Sequence, residues 1–150
     1  MLDLIFIFGA KYLIIVPVLL TTYYYFRSSA EIRKRLLIFL VLILPFTYIL
    51  GLGARSLYYN PRPFVTGGYA PLIPHAADNG FPSDHILLAA SLAAAMLFFD
   101  RKQASWLWTL TAFIALSRVY AGVHHALDVA ASMGLAFLCA IIIAKFYARK

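Results

Sequence analysis

Long apolar runs, parted by short breaks that hold most of the charge, constrain this chain more than any other feature. Leu36 to Ala54 contains no charged residue, and Leu4 to Phe26 contains only Lys11. Three more runs follow, from His85 to Phe99, Ser105 to Ser117 and Leu127 to Phe146. A chain passing through hydrocarbon must satisfy every backbone polar group internally. Runs this long, without period-two alternation, therefore predict helices. Charged residues are 13% of the sequence and hydrophobic ones 63%, whereas a soluble domain carries roughly 25% charged residues. A soluble helical bundle would also need polar helix faces, which these runs lack. The expectation is an all-α, polytopic membrane helix bundle of about five transmembrane helices, with residues 1–150 forming a single membrane-embedded domain.

The third and fourth runs fall short of the ~20 residues that cross a bilayer, so their outer ends are expected to sit low, in a recess. Runs three to five are rich in small residues, among them Ala89, Ala90, Ser91, Ala93, Ala94, Ala95, Ser132 and Gly134, which lets membrane helices approach closely. The first run is not read as a signal peptide, because it opens on Asp3 and has no small-residue cleavage site. Pro45 is a candidate kink in the second run. Cys139, the single cysteine, has no partner for an intrachain disulfide.

The net charge of +7 reports topology here, not nucleic-acid binding. Arg27, Arg33, Lys34, Arg35, Arg101, Lys102, Lys145, Arg149 and Lys150 all fall on one side of a five-span chain. The positive-inside rule makes that side cytoplasmic, with the N-terminus outside and the C-terminus cytoplasmic. The other side keeps only Arg55, Arg62 and Arg118.

Those three arginines belong to three segments expected to meet at the outer face: Arg55 to Pro63, Phe81-Pro-Ser-Asp-His85, and Ser117-Arg118 with His124 and Asp128. Three guanidinium groups beside lipid repel one another unless a multivalent anion joins them, and arginine's planar fork suits phosphate oxygens. Ser83 adds a hydroxyl donor, and the start of the third span adds helix amides. At i, i+4 spacing His124 and Asp128 share a helix face, so the carboxylate can hold one imidazole nitrogen protonated and leave the other as nucleophile. His85, from another element, can protonate a departing oxygen.

These residues resemble the phosphatidic acid phosphatase type 2 superfamily, whose pattern is Lys-x6-Arg-Pro, Pro-Ser-Gly-His and Ser-Arg-x5-His-x3-Asp. The match spans residues 55 to 128 and keeps the spacing within each motif. The resemblance implies that His124 is the phosphohistidine-forming nucleophile, Asp128 its partner and His85 the general acid. It implies that Arg55, Arg62, Ser83 and Arg118 hold the phosphate, with no metal ion and no cofactor. Two positions depart from the pattern. Arg55 replaces the usual Lys, and Asp84 replaces the usual Gly, placing a carboxylate beside an anion site that it opposes unless it pairs with an arginine or takes a proton. The Phe-Pro-Ser-Asp-His version, with Asn60-Pro-Arg-Pro-Phe64 and Leu72-Ile-Pro-His-Ala-Ala-Asp78, is similar to the bacitracin-resistance type of undecaprenyl-diphosphatase. That resemblance implies undecaprenyl diphosphate as substrate, cut to the monophosphate and inorganic phosphate, and the charge count places the site on the extracytoplasmic face of the plasma membrane. Asp84 becomes a candidate substrate-tuning residue.

Competing expectations are a phosphatase for phosphatidylglycerophosphate, phosphatidate or a lipid A phosphate; an antibiotic-resistance permease; and a vanadate-dependent haloperoxidase. His125 lacks the i, i+4 relation to Asp128 and is expected to be non-catalytic. His75 and Asp78 are placed in an outer loop, either solvated or touching the head group. Tyr58, Tyr59, Phe64 and Tyr69 read as interfacial anchors or as the lining of a lipid entrance.

Overall fold

Among the described residues, the breaks and caps written into the sequence mark off seven helices. In the computed structural model, which describes residues 1–147, they are α1 (Leu2–Lys11), α2 (Ile15–Arg27), α3 (Ala30–Leu57), α4 (Pro63–Gly67), α5 (Asp84–Met96), α6 (Arg101–Tyr120) and α7 (Ala126–Tyr147). Ser29 caps α3 by accepting from the Ile32 amide, and Asp100 caps α6 by accepting from Gln103 at 2.9 Å. Pro63 opens α4, where its missing N–H costs nothing. Among the described residues there is no strand, only an isolated bridge between Pro61 and Asn79.

At the centre lies α5. Ten of its residues are buried, from Ile86 to Met96 with Leu88 excepted, and α2, α3, α6 and α7 pack around it. Its alanines are what allow this, since a small side chain lets neighbouring backbones close in. The outer helices are apolar outward as well: Leu19, Val41, Ile49 and Leu138 are exposed, a pattern that suits a hydrocarbon surround and not water.

Two elements differ from the sequence expectation. The first apolar run is not one helix, because α1 and α2 meet at a 52° bend. Pro17 sits in the first turn of α2, where it cannot continue a helix arriving from residue 13. The fourth run is longer than expected: α6 reaches back to its Asp100 cap and on past Arg118, giving 20 residues, about 30 Å at 1.5 Å per residue. By contrast α5, with 13 residues, spans only about 20 Å. By length and composition α3 and α7 each qualify as membrane spans, and the bent α1–α2 pair qualifies as a third.

Cations of the short breaks gather at one end of the bundle. Arg35 lies over the Tyr147 ring and shares a crevice with Phe98, Phe99 and Lys145, next to the start of α6. Arg149 and Lys150 lie outside the described residues. Lys11 ends α1, where a cation suits the helix C-terminus, and lies over the Tyr12 ring.

Helix α1 lies against the end of α6. Phe6 stacks on Tyr120, the Tyr120 hydroxyl donates to Asp3 at 2.8 Å, and Gly9 faces Ser117. A Cβ at Gly9 would collide with Ser117 Oγ, whereas one at Gly134 would meet nothing within 4 Å. Overpacking costs roughly 1–3 kcal/mol, and each kcal/mol is worth about 2–4 °C in a chain of this size. Gly9→Leu should therefore lower the thermal midpoint in detergent by roughly 2–12 °C, while Gly134→Leu leaves it nearly unchanged. Equal midpoints for the two variants would contradict the α1–α6 contact.

Candidate active site

The site forms where three loop-to-helix junctions meet. The first follows α3, the second precedes α5, and the third joins α6 to α7. Asn79 ties the first two together: its side chain accepts from the amides of Asn60 and Phe81 and donates to the carbonyls of Arg55 and Tyr58. The Gly80 amide adds a 2.8 Å bond to the Asn60 carbonyl. In the third junction Gly122 adopts φ +76° beneath the Tyr69 ring. Only glycine takes that conformation without strain, and it turns the chain so that His124 faces inward.

His124 is 3% exposed and lies in the loop before α7, not on the helix. The helical i, i+4 relation to Asp128 expected from the spacing is therefore absent. The pairing survives in looser form, with Asp128 Oδ2 3.5 Å from His124 Nδ1. A nearer partner is the Gly80 carbonyl, 2.9 Å from Nδ1. Both are acceptors, so Nδ1 carries the proton and Nε2 a free lone pair. Asp128 is fully buried and held by Asn60 Nδ2 at 2.7 Å and by the His125 amide at 2.8 Å.

Around His124 Nε2 stand Ser83 Oγ at 3.1 Å, Arg118 Nη2 at 3.2 Å and Arg62 Nη1 at 3.4 Å. Ser83 is the N-cap residue of α5, yet its side chain makes no capping bond. Ser132 instead fixes its backbone, with Oγ accepting from the Ser83 amide at 2.9 Å. Arg62 is anchored by Asp78 at 2.7 Å and by the Val123 carbonyl at 2.8 Å. Arg118 donates to the Ala10 carbonyl at 3.2 Å and to His75 Nε2 at 3.0 Å. Its Nε is buried without a partner.

Not every expected residue joins this cluster. Arg55 pairs with Asp84 at 2.7 Å and donates to the Pro82 carbonyl, so the carboxylate that departs from the family pattern is matched by a neighbouring guanidinium. His85 lies half-buried in the first turn of α5 and is not among the hydrogen-bonding partners of His124. His125 is structural, with Nε2 against the Pro61 carbonyl at 3.1 Å. Asn60, Asn79, Gly80 and Ser132 were not singled out from sequence. Asn60 and Gly80 sit within or beside quoted motifs, whereas nothing local marks Ser132.

Charge follows from this geometry. Burial lowers the His75 pKa to about 4, with Arg62 and Arg118 adding to the effect. Burial also lowers that of His124, against the upward pull of its hydrogen bond to Asp128, and the charges of Arg118 and Arg62 act in the same direction as burial. For Asp78 burial acts upward, but the hydrogen bond and charge of Arg62 hold the carboxyl below its usual value.

The family model of the PAP2 superfamily matches residues 36–150. The chain belongs to the PAP2 superfamily. It is 36% identical to undecaprenyl-diphosphatase BcrC of Bacillus subtilis over 97% of this chain and 75% of that protein. It is 38% identical to the bacitracin transport permease protein BcrC of Bacillus licheniformis over 73% of this chain, spanning about half (55%) of that relative. The crystal structure of Aquifex aeolicus LpxE superposes with a TM-score of 0.64 at 24% identity, covering 96% of this chain and 94% of that one, which shows a shared fold. All three PAP2 motifs of this chain converge on the loops around His124.

A pH dependence follows from the neutral imidazoles. The unfolded chain binds a proton at His75 near pH 6.5, which the folded site refuses until about pH 4. Folding stability is therefore lost as pH falls through that window. The thermal midpoint in detergent should drop from pH 6.5 to 4, and His75→Gln should remove part of that drop. A midpoint that ignores pH across this range would contradict a neutral His75.

Proposed function

We propose that this membrane phosphatase hydrolyses a lipid diphosphate, with undecaprenyl diphosphate as its substrate, through a phosphohistidine at His124. One observation carries the reading: three donors crowd a single lone pair on His124 Nε2. One lone pair cannot satisfy a hydroxyl and two guanidinium groups. A phosphoryl group bonded to that nitrogen supplies one oxygen for each.

In the proposed reaction Nε2 attacks the terminal phosphorus while Nδ1–H stays held by the Gly80 carbonyl and Asp128. The P–O bond to the lipid phosphate breaks, and His85 gives its proton to the departing oxygen. His85 then takes a proton from water, which attacks the phosphohistidine and releases inorganic phosphate. Arg62, Arg118 and Ser83 stabilise the charge of the flying phosphoryl group, as preorganised donors do. Arg55 joins them from its pair with Asp84. The separation of cations between the bundle's ends supports a five-span topology with the N-terminus outside, the C-terminus cytoplasmic and the site on the outer face of the plasma membrane.

Replacing the nucleophile, His124→Ala, should lower phosphate release roughly 10⁴-fold or more while the protein still inserts and melts cooperatively. Full activity in that variant would sink the mechanism. Asp84→Gly frees Arg55 and should change the ratio of diphosphate to monophosphate hydrolysis by at least a few fold; an unchanged ratio would remove Asp84 from substrate choice. The substrate itself is tested by comparing phosphate release from polyprenyl diphosphate, phosphatidylglycerophosphate, phosphatidate and a lipid A phosphate.

A permease is the second reading, favoured by the name of the Bacillus licheniformis relative. Phosphate release by purified protein in detergent, where no gradient exists, would decide against it.

A further inference from the structure

His75 is the one site imidazole without a task in that reaction. It lies in the loop between α4 and α5, its ring centroid 6.1 Å from that of His124 and the two planes 77° apart. Arg118 Nη2 stands between the two imidazoles, 3.0 Å from His75 Nε2 and 3.2 Å from His124 Nε2. A guanidinium only donates. The lone pair of His75 is therefore on Nε2 and its proton on Nδ1, and that Nδ1 is buried with no hydrogen-bond partner. A buried donor left unpaired is costly, so this neutral ring is incompletely satisfied in the geometry seen here.

We propose that His75 is a proton-switched positioning residue: it accepts from Arg118 in the geometry seen here, and takes a proton from solvent when a phosphoryl group binds. As an imidazolium it has no lone pair for Arg118. The freed Nη2 hydrogen and the new Nε2–H then both turn to phosphate oxygens, adding a cation to the cradle only while the anion is present. The inference rests on the phosphatase reading for the identity of the anion alone.

The surroundings fit such a switch. Arg62 from the α3–α4 junction, Arg118 from α6 and His124 from the α6–α7 loop oppose a charge on His75, and Asp78 from its own loop favours one. His85, from α5, completes the set. Arg62 is already engaged by Asp78, so little negative charge is left for His75. A bound dianion reverses that balance. Holding His75 neutral beforehand spares the site a further like charge beside two arginines.

The test uses full-length protein in detergent micelles with ¹⁵N-histidine label, at pH 6.5, with and without saturating inorganic phosphate. His75→Gln and His75→Asn identify the resonances. The expected result is an Nδ1–H neutral ring without phosphate and a doubly protonated ring with it. Gln can still accept from Arg118 but cannot be protonated, so it separates positioning from proton uptake. Between pH 7 and 5 the affinity of wild type for phosphate, relative to His75→Gln, should rise by up to about tenfold per unit of pH lost, the slope for one linked proton. A ring that stays neutral with phosphate bound, or parallel pH slopes for the two proteins, overturns the proposal and leaves the phosphatase reading intact. Failure of wild type to bind or release phosphate at all overturns both.

Discussion

The proton on His124 Nδ1 decides what the rest of the site can be. The Gly80 carbonyl and Asp128 both face that nitrogen, so the ring has one tautomer and its lone pair points at Ser83, Arg62 and Arg118. A hydrogen-bonded imidazole in the other tautomer would present N–H to three donors, and the cluster would come apart. Much of the surrounding structure serves this one orientation. Asn60 and the His125 amide hold Asp128, the Asn60–Gly80 backbone bond holds the carbonyl, and Gly122 turns the loop. Where its members are satisfied, a buried polar network of this kind rigidifies the site.

Solvent organises the outside of the molecule as firmly as His124 organises the site. Apolar side chains face outward along α2, α3 and α7, and α5, the most enclosed helix, is built of small residues. The cations divide into two populations. Those at the α2–α3 and α5–α6 breaks line the opposite end of the bundle from the site, whereas Arg62 and Arg118 are almost wholly buried, at 5% and 3% exposure. Burying two guanidiniums together is tolerable only with acceptors already in place: Asp78 and the Val123 carbonyl for one, the Ala10 carbonyl and His75 for the other.

The sequence made the chemistry legible further than the helices. Arg62, Ser83, Arg118, His124 and Asp128 were singled out because their types and spacings suit phosphate, and the fold brings them within a few ångströms of one another. Spacing alone misplaced His124 on a helix, since an i, i+4 interval says nothing about Gly122 turning the chain just before it. Pro17 carried a readable break in the first apolar run, but the run's uniform hydropathy concealed it. Ser132 and Asn79 act through backbone contacts with residues distant in sequence, and no local pattern announces such contacts. His75 reads from sequence only as a loop residue, solvated or touching the head group, because the arginine that engages it lies 43 positions away.

The bend after α1 has a further meaning. In an unbroken helix the Ala10 carbonyl would accept from the amide of residue 14; at the bend it accepts from Arg118 instead. The part of the chain that matches the family begins at residue 36, so a site arginine leans on an atom that belongs to none of the shared motifs. Grafting the matched portion alone onto another membrane anchor would transfer every signature residue and still leave one guanidinium without its footing.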